Sequence, residues 1–195
     1  MIGLFGGAFD PPHVGHLLAA TYAQAMDSRI GRIAVIPSAR HPWKPNLSTT
    51  LEHRTNMLRL LFEPLRDVAI DDNTEWRIAN KKPEGEPVYT IDVVEDYIER
   101  DRKVCLIVGQ DEAEDLPRWH RYDDLMRLTG SPCVIPRGCT QAVHVCEVSS
   151  TKTRDLLLRG CFEEAAAFVP RSILDYIRLH RLYMSSRWAR TREAT

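Results

Sequence analysis

Two glycines and two histidines stand close together near the start of the chain, in the stretch GGAFDPPHVGH from Gly6 to His16. Gly6 and Gly7 carry no Cβ atom, so a phosphate could approach their backbone amides closely. His13 and His16 are three residues apart, and on a helix this spacing places both imidazoles on one face. A Gly-Gly pair alone is usually only a turn, and a lone histidine usually lies at the surface or in the core. Together, these residues predict a polyphosphate site.

A second stretch, SSTKTR from Ser149 to Arg154, follows an apparent strand and opens a helix. Ser and Thr are frequent helix N-caps, and capping alone would explain the hydroxyl residues. Arg154 lies one turn into the helix, where its guanidinium can reach an anion held by the N-terminal amides. We therefore expect a second anion site here, with simple capping as the alternative.

A tryptophan stands in an expected short polar loop in the middle of the chain, in LPRWHRY from Leu116 to Tyr122. The segment follows Gly109 and Asp111, which close a continuous apolar run. An exposed tryptophan is costly, and the flat ring of Trp119 suits stacking on a pyridine or an adenine. The alternative is that Trp119 plugs an edge of the sheet. The segment therefore predicts either a wall for a base or a packing contact.

The elements that must position these residues follow from the hydrophobic pattern. Apolar runs predict strands at Ile2 to Phe5, Arg32 to Pro37, Val68 to Ile70, Lys103 to Val108, Cys133 to Ile135 and Ala142 to Val148. Amphipathic patterns predict helices at about Val14 to Ala25, Thr50 to Phe62, Thr90 to Arg100, Ser150 to Arg159, Phe162 to Phe168 and Arg171 to His180. The polar segment from Asp71 to Pro87 is expected to be a loop. Alternating strands and helices predict a doubly wound parallel α/β sheet, in which ligands bind outside the carboxyl ends of the strands.

Length and composition fit one soluble domain. The chain has 195 residues, of which 44% are apolar and 27% charged, as in ordinary globular proteins. A net charge of −1 argues against a surface built to bind nucleic acid. No apolar run approaches the roughly 20 residues of a membrane span, and the N-terminus does not resemble a secretory signal. We expect a cytoplasmic protein with one domain over residues 1–184 and a loose polar tail over residues 185–195.

The cysteines and carboxylates predict no metal held by the protein. The five cysteines are an odd number without a C-x-x-C pair, and we expect reduced thiols. Cys133, Cys139, Cys146 and His144 could be drawn together as a zinc site, but their spacing fits no common ligand pattern. The sequence also lacks a carboxylate cluster that would hold magnesium.

The motifs resemble those of a known enzyme family. The stretch from Gly6 to His16 has every fixed position of the G-G-x-F-D-P-x-H-x-G-H signature of the nucleotidyltransferase superfamily, and SSTKTR resembles its S-S-T-x-x-R motif. Within that superfamily, G-x-D followed by L-P-x-W-H-R, together with Tyr89-Thr90 at the start of a helix, resembles the nicotinate mononucleotide adenylyltransferases. The resemblance covers the chain from Met1 to Tyr183 and implies a Rossmann-like nucleotidyltransferase fold.

The resemblance also implies a role for each candidate residue. The expected ATP-binding residues are Gly6, Gly7, Ala8, Phe9, His13, His16, Gly109, Asp111, Ser149, Ser150, Thr151 and Arg154. The expected pyridine-nucleotide-binding residues are Lys44, Arg54, Tyr89, Thr90, Trp119 and His120. The expected catalytic residues are His13, His16, Lys44 and Arg154, with the histidines on the charge that develops at the reacting phosphorus. Lys44 and Arg54 resemble the family's basic pair near the phosphates, and solvated surface charge is the alternative for both.

By this resemblance, the chain transfers an adenylyl group from ATP to nicotinate mononucleotide, giving deamido-NAD and pyrophosphate in NAD biosynthesis. Mg²⁺ is expected to arrive bound to ATP. Nicotinamide mononucleotide, alone or beside nicotinate mononucleotide, stays open as the acceptor, because backbone amides can recognise a carboxylate without a diagnostic side chain. Phosphopantetheine as the acceptor would leave Trp119 and the Tyr89-Thr90 pair unexplained. The expected partners are thus ATP and a pyridine mononucleotide, without nucleic acid or membrane, in an oligomeric state that is left open.

Two other classes of protein could contain parts of these motifs. A catalytically silent nucleotide-binding regulator would not need His13, His16 and Arg154 together. Class I aminoacyl-tRNA synthetases also have an H-x-G-H motif, but they require a K-M-S-K-S loop and usually an RNA-binding domain. The nearest fragment, Met184-Ser185-Ser186, lacks both lysines, which argues against that class.

Overall fold

The computed structural model describes residues 1–43, 46–139, 144–145 and 148–184. Its centre is a five-stranded sheet in which all neighbouring strands run parallel. In chain order, the strands are β1 (Ile2–Gly7), β2 (Arg32–Pro37), β3 (Val68–Ile70), β4 (Val104–Gly109) and β5 (Cys133–Ile135). Their spatial order is β3-β2-β1-β4-β5. The order reverses between β1 and β4, which is where doubly wound sheets place their ligands.

Helices connect the strands and continue after the last of them. They are α1 (Val14–Met26), α2 (Leu51–Phe62), α3 (Thr74–Lys81), α4 (Thr90–Glu99), α5 (Gln110–Asp115), α6 (Tyr122–Thr129), α7 (Ser150–Leu158), α8 (Phe162–Ala165) and α9 (Arg171–Leu179), with a 3-10 turn at Leu116–Arg118. Two short strands, β6 (Gly138–Cys139) and β7 (His144–Val145), pair antiparallel. No helix that the structure describes is long and apolar enough to cross a membrane.

The strand β4 shows why the sheet is covered on both faces. Its side chains alternate, so that Cys105 and Ile107 belong to one core cluster and Leu106 and Val108 to the other. Buried residues of α1, α2, α7 and α9 complete the first cluster, and buried residues of α3, α4 and α6 complete the second. Two layers of helices thus hold the carboxyl ends of the central strands in place.

The predicted doubly wound parallel α/β fold is confirmed, and so are its five main strands. A sixth strand was predicted from Ala142 to Val148. Within that range the structure gives only His144–Val145 as a strand, and Val148 is not part of it. Residues 142–143 and 146–147 lie outside the described part, as do residues 185–195, so the loose tail and the domain boundary at residue 184 stay predictions.

The prediction of a loop over Asp71 to Pro87 is wrong, because this segment contains α3. The Asp71 carboxylate accepts hydrogen bonds from the backbone N–H groups of Asn73 and Thr74 at 3.1 and 2.9 Å, and from the Thr74 hydroxyl at 2.7 Å. These bonds satisfy backbone donors at the start of the helix. Only three residues of α3 are buried, and two of them are polar. With only eight residues, the helix offers few apolar positions from which a period could be recognised in the sequence.

The region between β4 and β5 is also more helical than expected. The segment LPRWHRY was expected to be a loop, but the structure has a 3-10 turn at Leu116–Arg118 and begins α6 at Tyr122. The helix α5 was not predicted. Further along, the helix predicted from Phe162 to Phe168 ends at Ala165. These elements are short, and short segments carry too few residues to establish a period.

Candidate active site

The loop between β1 and α1 holds the first predicted phosphate site. Phe9 has a positive φ of 49°, and its side chain turns into the core, where the residue is only 2% exposed. A Cβ atom on Gly7 would lie 3.1 Å from the Phe9 ring, whereas a Cβ atom on Gly6 would meet nothing within 4 Å. Gly7 is therefore required for packing, while Gly6 leaves open space at the edge of a cavity.

The two histidines of this loop are stacked, with ring centroids 3.7 Å apart. The backbone N–H of His13 donates to Nδ1 of His16 at 3.1 Å. Gly15 permits the arrangement, because a Cβ atom there would lie 3.0 Å from Nδ1 of His13. Burial, and to a smaller extent the positive charge of Arg137, lowers the pKa of His13 to about 4. The imidazole of His13 is therefore neutral at pH 7, and a nearby polyphosphate would favour its charged form.

The N-terminus of α7 lies against the same loop and brings the second predicted phosphate stretch to the first. Ser149 caps the helix by accepting a hydrogen bond from the backbone N–H of Lys152 at 3.2 Å. Ser150 Oγ donates to the carbonyl of Pro11 at 2.9 Å. Arg154 donates to the carbonyl of Asp10, and also to Thr151 Oγ1 at 3.2 Å. Capping and a place beside the histidines are thus both observed, so the two interpretations of this stretch are compatible.

Asp10 connects the phosphate loop by hydrogen bonds to residues that are distant in the sequence. Its carboxylate is buried and accepts hydrogen bonds from the Ser48 N–H at 2.7 Å, from Thr49 Oγ1 at 2.9 Å and from the Tyr183 hydroxyl at 2.7 Å. Burial and the Asp10 charge raise the pKa of Tyr183 above its ordinary value. The tyrosine therefore stays protonated and keeps donating to Asp10.

A cavity of about 440 Å³ opens at the carboxyl ends of β1, β2 and β4. Seven of the predicted site residues line it, namely Gly6, Gly7, Tyr89, Thr90, Asp111, Trp119 and His120. His13, His16 and Arg154 are not among its lining residues. We call the loop and the N-terminus of α7 the phosphate side, and the cavity the acceptor side, after the roles predicted for most of their residues. The separation is incomplete, because Gly6, Gly7 and Asp111, which were predicted to bind ATP, line the cavity as well.

Aromatic rings form one wall of the cavity. Tyr89 and His120 stack with ring centroids 4.2 Å apart, and Lys82 Nζ lies 5.1 Å from the Tyr89 ring centroid. The backbone N–H of Tyr89 donates to Asp92 at 2.8 Å, which fixes the start of α4. Trp119 is half-buried, packs against the second core cluster and also lines the cavity. The two interpretations of Trp119, packing residue and wall for a base, therefore describe the same position.

Glu75 is a cavity residue that the sequence analysis missed. It belongs to α3, is 8% exposed, and accepts a hydrogen bond from the backbone N–H of Ala39. Burial raises the pKa of Glu75 to about 7, against the opposing effects of the hydrogen bond from Ala39 and the charge of Arg54. A correct prediction of α3 was the one signal that could have found it, because a lone glutamate in a polar segment is not distinctive.

The predicted basic pair has two different outcomes. Lys44 lies outside the described residues. Arg54 is 2% exposed, and its guanidinium donates to the carbonyls of Ala8 and Ser38 at 2.8 and 2.7 Å. Solvated surface charge is therefore wrong for Arg54, and its binding of a pyridine nucleotide stays a prediction.

Gly109 and Asp111 meet a further residue that was not predicted, Arg137. Asp111 Oδ1 lies 3.0 Å from Arg137 Nε, and a Cβ atom on Gly109 would lie 2.8 Å from the same carboxylate oxygen. Arg137 follows the carboxyl end of β5 closely, which is the edge of the sheet where ligands bind. That position was the signal that could have identified it as a candidate for an anionic ligand.

Within the described residues there is no group of three or more histidines, cysteines and carboxylates that could hold a metal ion. Cys105, Cys133 and Cys161 are free thiols. The side chains of Cys139, His144 and Cys146, which the sequence analysis weighed as zinc ligands, lie outside the described part.

Known proteins are similar to this chain over most of its length. Residues 4–156 match the model of the cytidylyltransferase-like family. A protein of Myxococcus xanthus, named probable nicotinate-nucleotide adenylyltransferase, is 34% identical over 93% of this chain and 94% of its own length. A protein of Bacillus pumilus with the same name is 32% identical over 94% of this chain and 98% of its own length.

Solved structures support the fold. The nicotinic acid mononucleotide adenylyltransferase of Plasmodium falciparum, complexed with NaAD, superposes with a TM-score of 0.70 at 17% identity, over 93% of this chain and 96% of that one. A putative nicotinate-nucleotide adenylyltransferase of Vibrio parahaemolyticus gives a TM-score of 0.69 at 18% identity, over 93% and 94% of the two chains. The predicted Rossmann-like nucleotidyltransferase fold is thereby confirmed.

Proposed function

We propose that this chain, which belongs to the nicotinate-nucleotide adenylyltransferase family within the cytidylyltransferase-like proteins, transfers the adenylyl group of ATP to nicotinate mononucleotide. The products are deamido-NAD and pyrophosphate, and the pathway is NAD biosynthesis. Membership of the family supports the reaction type, since relatives that match 93% of this chain are named probable nicotinate-nucleotide adenylyltransferases.

The observation that carries the proposal is the junction of two phosphate motifs beside an aromatic cavity. Ser150 and Arg154 of one motif donate to carbonyls of Pro11 and Asp10 in the other. Gly6 belongs to the first motif and lines the same cavity as Tyr89 and Trp119. A triphosphate on the motifs and a flat pyridine in the cavity would therefore meet near the end of β1.

The reaction needs positioning and charge stabilisation more than covalent catalysis. A 5′-phosphate oxygen of the acceptor attacks the α-phosphorus of ATP in line, and the bond from that phosphorus to the oxygen bridging to the β-phosphate breaks as pyrophosphate leaves. His13 and His16 stabilise the charge on the pentavalent phosphorus. Arg154, with the N-terminal amides of α7, and Lys44 hold the triphosphate.

Mg²⁺ enters the proposal as a part of the substrate. The described residues offer cationic and hydroxyl groups around the phosphate motifs but no cluster of metal ligands, so phosphate oxygens of ATP would hold the ion. Bound there, Mg²⁺ neutralises charge on the leaving pyrophosphate. The remaining stabilisation comes from the histidines and the arginine.

We also propose a cytoplasmic location. The cysteines whose side chains the structure describes, Cys105, Cys133 and Cys161, are free thiols. Reduced thiols suit a reducing compartment.

The test is pyrophosphate release from ATP and Mg²⁺, with nicotinate mononucleotide and nicotinamide mononucleotide supplied separately. We expect release with nicotinate mononucleotide at a higher kcat/KM than with nicotinamide mononucleotide. The reverse preference would make the nicotinamide nucleotide the acceptor, and equal values would mean a site of dual specificity. ATP binding without pyrophosphate release from either acceptor would overturn the proposal in favour of a silent nucleotide-binding regulator.

A further inference from the structure

Arg54 is a buried cation that joins the two halves of the site. Its Nη1 donates to the carbonyl of Ala8 at 2.8 Å, and its Nη2 donates to the carbonyl of Ser38 at 2.7 Å. Ala8 lies in the loop that follows β1, and Ser38 follows β2 directly. The first loop carries the phosphate motif. Ser38 begins the segment over residues 38–43, which we call the acceptor segment because it lines the cavity. One planar guanidinium thus holds a carbonyl from each side.

Two buried carboxyl groups interact with this charge and extend the connection. Asp10 is the main counter-charge, because burial raises the pKa of Glu75 to about 7 and leaves it only partly ionised at neutral pH. Asp10 and Glu75 are 2% and 8% exposed, and both interact electrostatically with Arg54, whose pKa burial lowers and these charges raise. An unpaired buried cation would be strongly unfavourable. Each carboxylate also binds a backbone N–H of another segment, Asp10 that of Ser48 and Glu75 that of Ala39.

Direct contact of Arg54 with a substrate phosphate is at odds with this geometry. Both terminal nitrogens already donate to backbone carbonyls, and Arg54 is not among the residues that line the cavity. Turning the guanidinium toward a ligand would leave buried carbonyls without donors, which is costly. The side chain is therefore better suited to holding the protein than to holding the substrate.

We propose that Arg54 is a positioning residue that sets the distance between the phosphate loop and the acceptor segment, and thereby between the α-phosphorus and the attacking oxygen. The inference rests on the proposed function, because it assumes that two substrates must be aligned across these segments. Among the residues that the structure describes, the last backbone hydrogen bond between the segments is from the Ser38 N–H to the Gly7 carbonyl at 2.9 Å. Beyond that point, Arg54 connects the two through Ala8 and Ser38.

The test is the substitution Arg54→Lys. A lysine keeps the charge, but its compact ammonium lacks the planar fork that spans two carbonyls. Misplacement of substrates by about 1 Å can slow an enzyme roughly 100-fold, so we expect kcat to fall by about 10- to 100-fold. The KM values for ATP and for the mononucleotide should change by less than about threefold, because the residues that contact the substrates are unchanged.

Two variants on the same helix serve as controls. Arg59 is exposed on α2 and ion-pairs with Asp72, so Arg59→Lys should leave kcat unchanged. Met57 is fully buried on α2, so Met57→Ala should lower Tm and still leave kcat unchanged below its Tm. If Met57→Ala and Arg54→Lys lose similar stability but differ in kcat, the loss is due to position rather than to stability.

Each outcome decides a different question. No pyrophosphate release by the wild type would reject the proposed function. An active wild type and an Arg54→Lys variant with kcat within twofold of it would reject only the positioning role, as would a loss confined to KM, which would indicate substrate binding by Arg54. If Arg54→Lys does not fold, Arg54→Gln takes its place, because its amide can still donate to one of the two carbonyls while Asp10 keeps its hydrogen bonds from Ser48, Thr49 and Tyr183. The expected loss of kcat and the criterion for rejection are the same.

Discussion

On the phosphate side, one loop and the N-termini of α1 and α7 meet through short contacts, whereas on the acceptor side the cavity is walled by several segments that are far apart in the chain. The phosphate side is closed around its own groups: the histidines stack at 3.7 Å, and Arg154 donates to the loop itself. The acceptor side leaves about 440 Å³ of open space. Its segments are tied by bonds such as that from Val88 N–H to the Arg40 carbonyl at 3.1 Å.

The difference indicates a division of labour. Groups that must stabilise a charged transition state gain from being fixed before the substrate arrives. Groups that select an acceptor must instead leave room of the right shape and chemistry. Substitutions on the phosphate side should therefore act mainly on kcat, and substitutions around the cavity mainly on KM.

The largest effect is expected for His16→Ala on the phosphate side. Loss of one group that stabilises transition-state charge typically costs about 10²- to 10³-fold in kcat. Steady-state kinetics should show that loss with Tm close to that of the wild type, since His16 is only half-buried. Turnover at the wild-type rate would show that His16 does not act in catalysis. It would also contradict the expectation that substitutions on the phosphate side lower kcat.

The next effect concerns how the free energy of unfolding depends on pH. The phosphate side has one buried titratable group with a shifted pKa, His13, and the acceptor side has another, Glu75. The folded-state pKa of His13 is lowered from 6.5 to about 4, so its contribution to stability is present above pH 6.5 and lost as the pH falls toward 4. The folded-state pKa of Glu75 is raised from 4.5 to about 7, so its contribution is present below pH 4.5 and lost as the pH rises through 7. Each contribution is of the order of 3 kcal/mol.

Denaturant unfolding at a series of pH values measures both contributions. Glu75→Gln should flatten the fall in the free energy of unfolding between about pH 4.5 and 7, while His13→Gln should flatten the fall on the acid side. Wild-type slopes that persist in the variants would show that other groups control the pH dependence. A bound ATP analogue should raise the pKa of His13 but not that of Glu75, and an NMR titration can follow the histidine.

The smallest effect is expected for Trp119→Ala at the cavity. Loss of an aromatic stacking partner costs about 1 kcal/mol or somewhat more, which corresponds to a rise in KM for the mononucleotide of about tenfold with kcat little changed. Trp76→Ala is the matched control, because Trp76 is 55% exposed and is not among the residues of the cavity wall. A fall in kcat with an unchanged KM would contradict the assignment of Trp119 to the acceptor side.

The same difference explains how much could be predicted from the sequence. The phosphate side is encoded in two contiguous stretches, and the strand β1 before the first is recognisable from its apolar run. The second stretch does not follow a strand of the five-stranded sheet, so the meeting of the two was predicted from the family motifs. Tyr89 and Trp119 were found through family motifs, and the structure places them at one cavity. Glu75 and Arg137 were missed, because their importance depends on contacts with Ala39 and Asp111 that no local pattern contains.

The sequence indicated Arg54 as a candidate site residue. It could not predict the burial of the side chain or its hydrogen-bond partners. A basic residue at the start of a helix is equally consistent with solvent exposure, ligand binding and burial. Only the folded structure shows that both terminal nitrogens of Arg54 donate to carbonyls on different segments. Burial of a charge depends on the tertiary packing of segments that are far apart in the sequence, so a local pattern does not predict it.

The hydrogen bond between Tyr183 and Asp10 joins residues separated by 173 positions. During synthesis, the phosphate loop leaves the ribosome early, at about 5 to 20 residues per second, and Tyr183 follows several seconds or more later. The loop can therefore acquire its complete set of hydrogen bonds only after translation has passed residue 183. A nascent chain interrupted before that point would lack the Tyr183 donor to Asp10, so the hydrogen bonding of the loop is completed only when α9 has been synthesised.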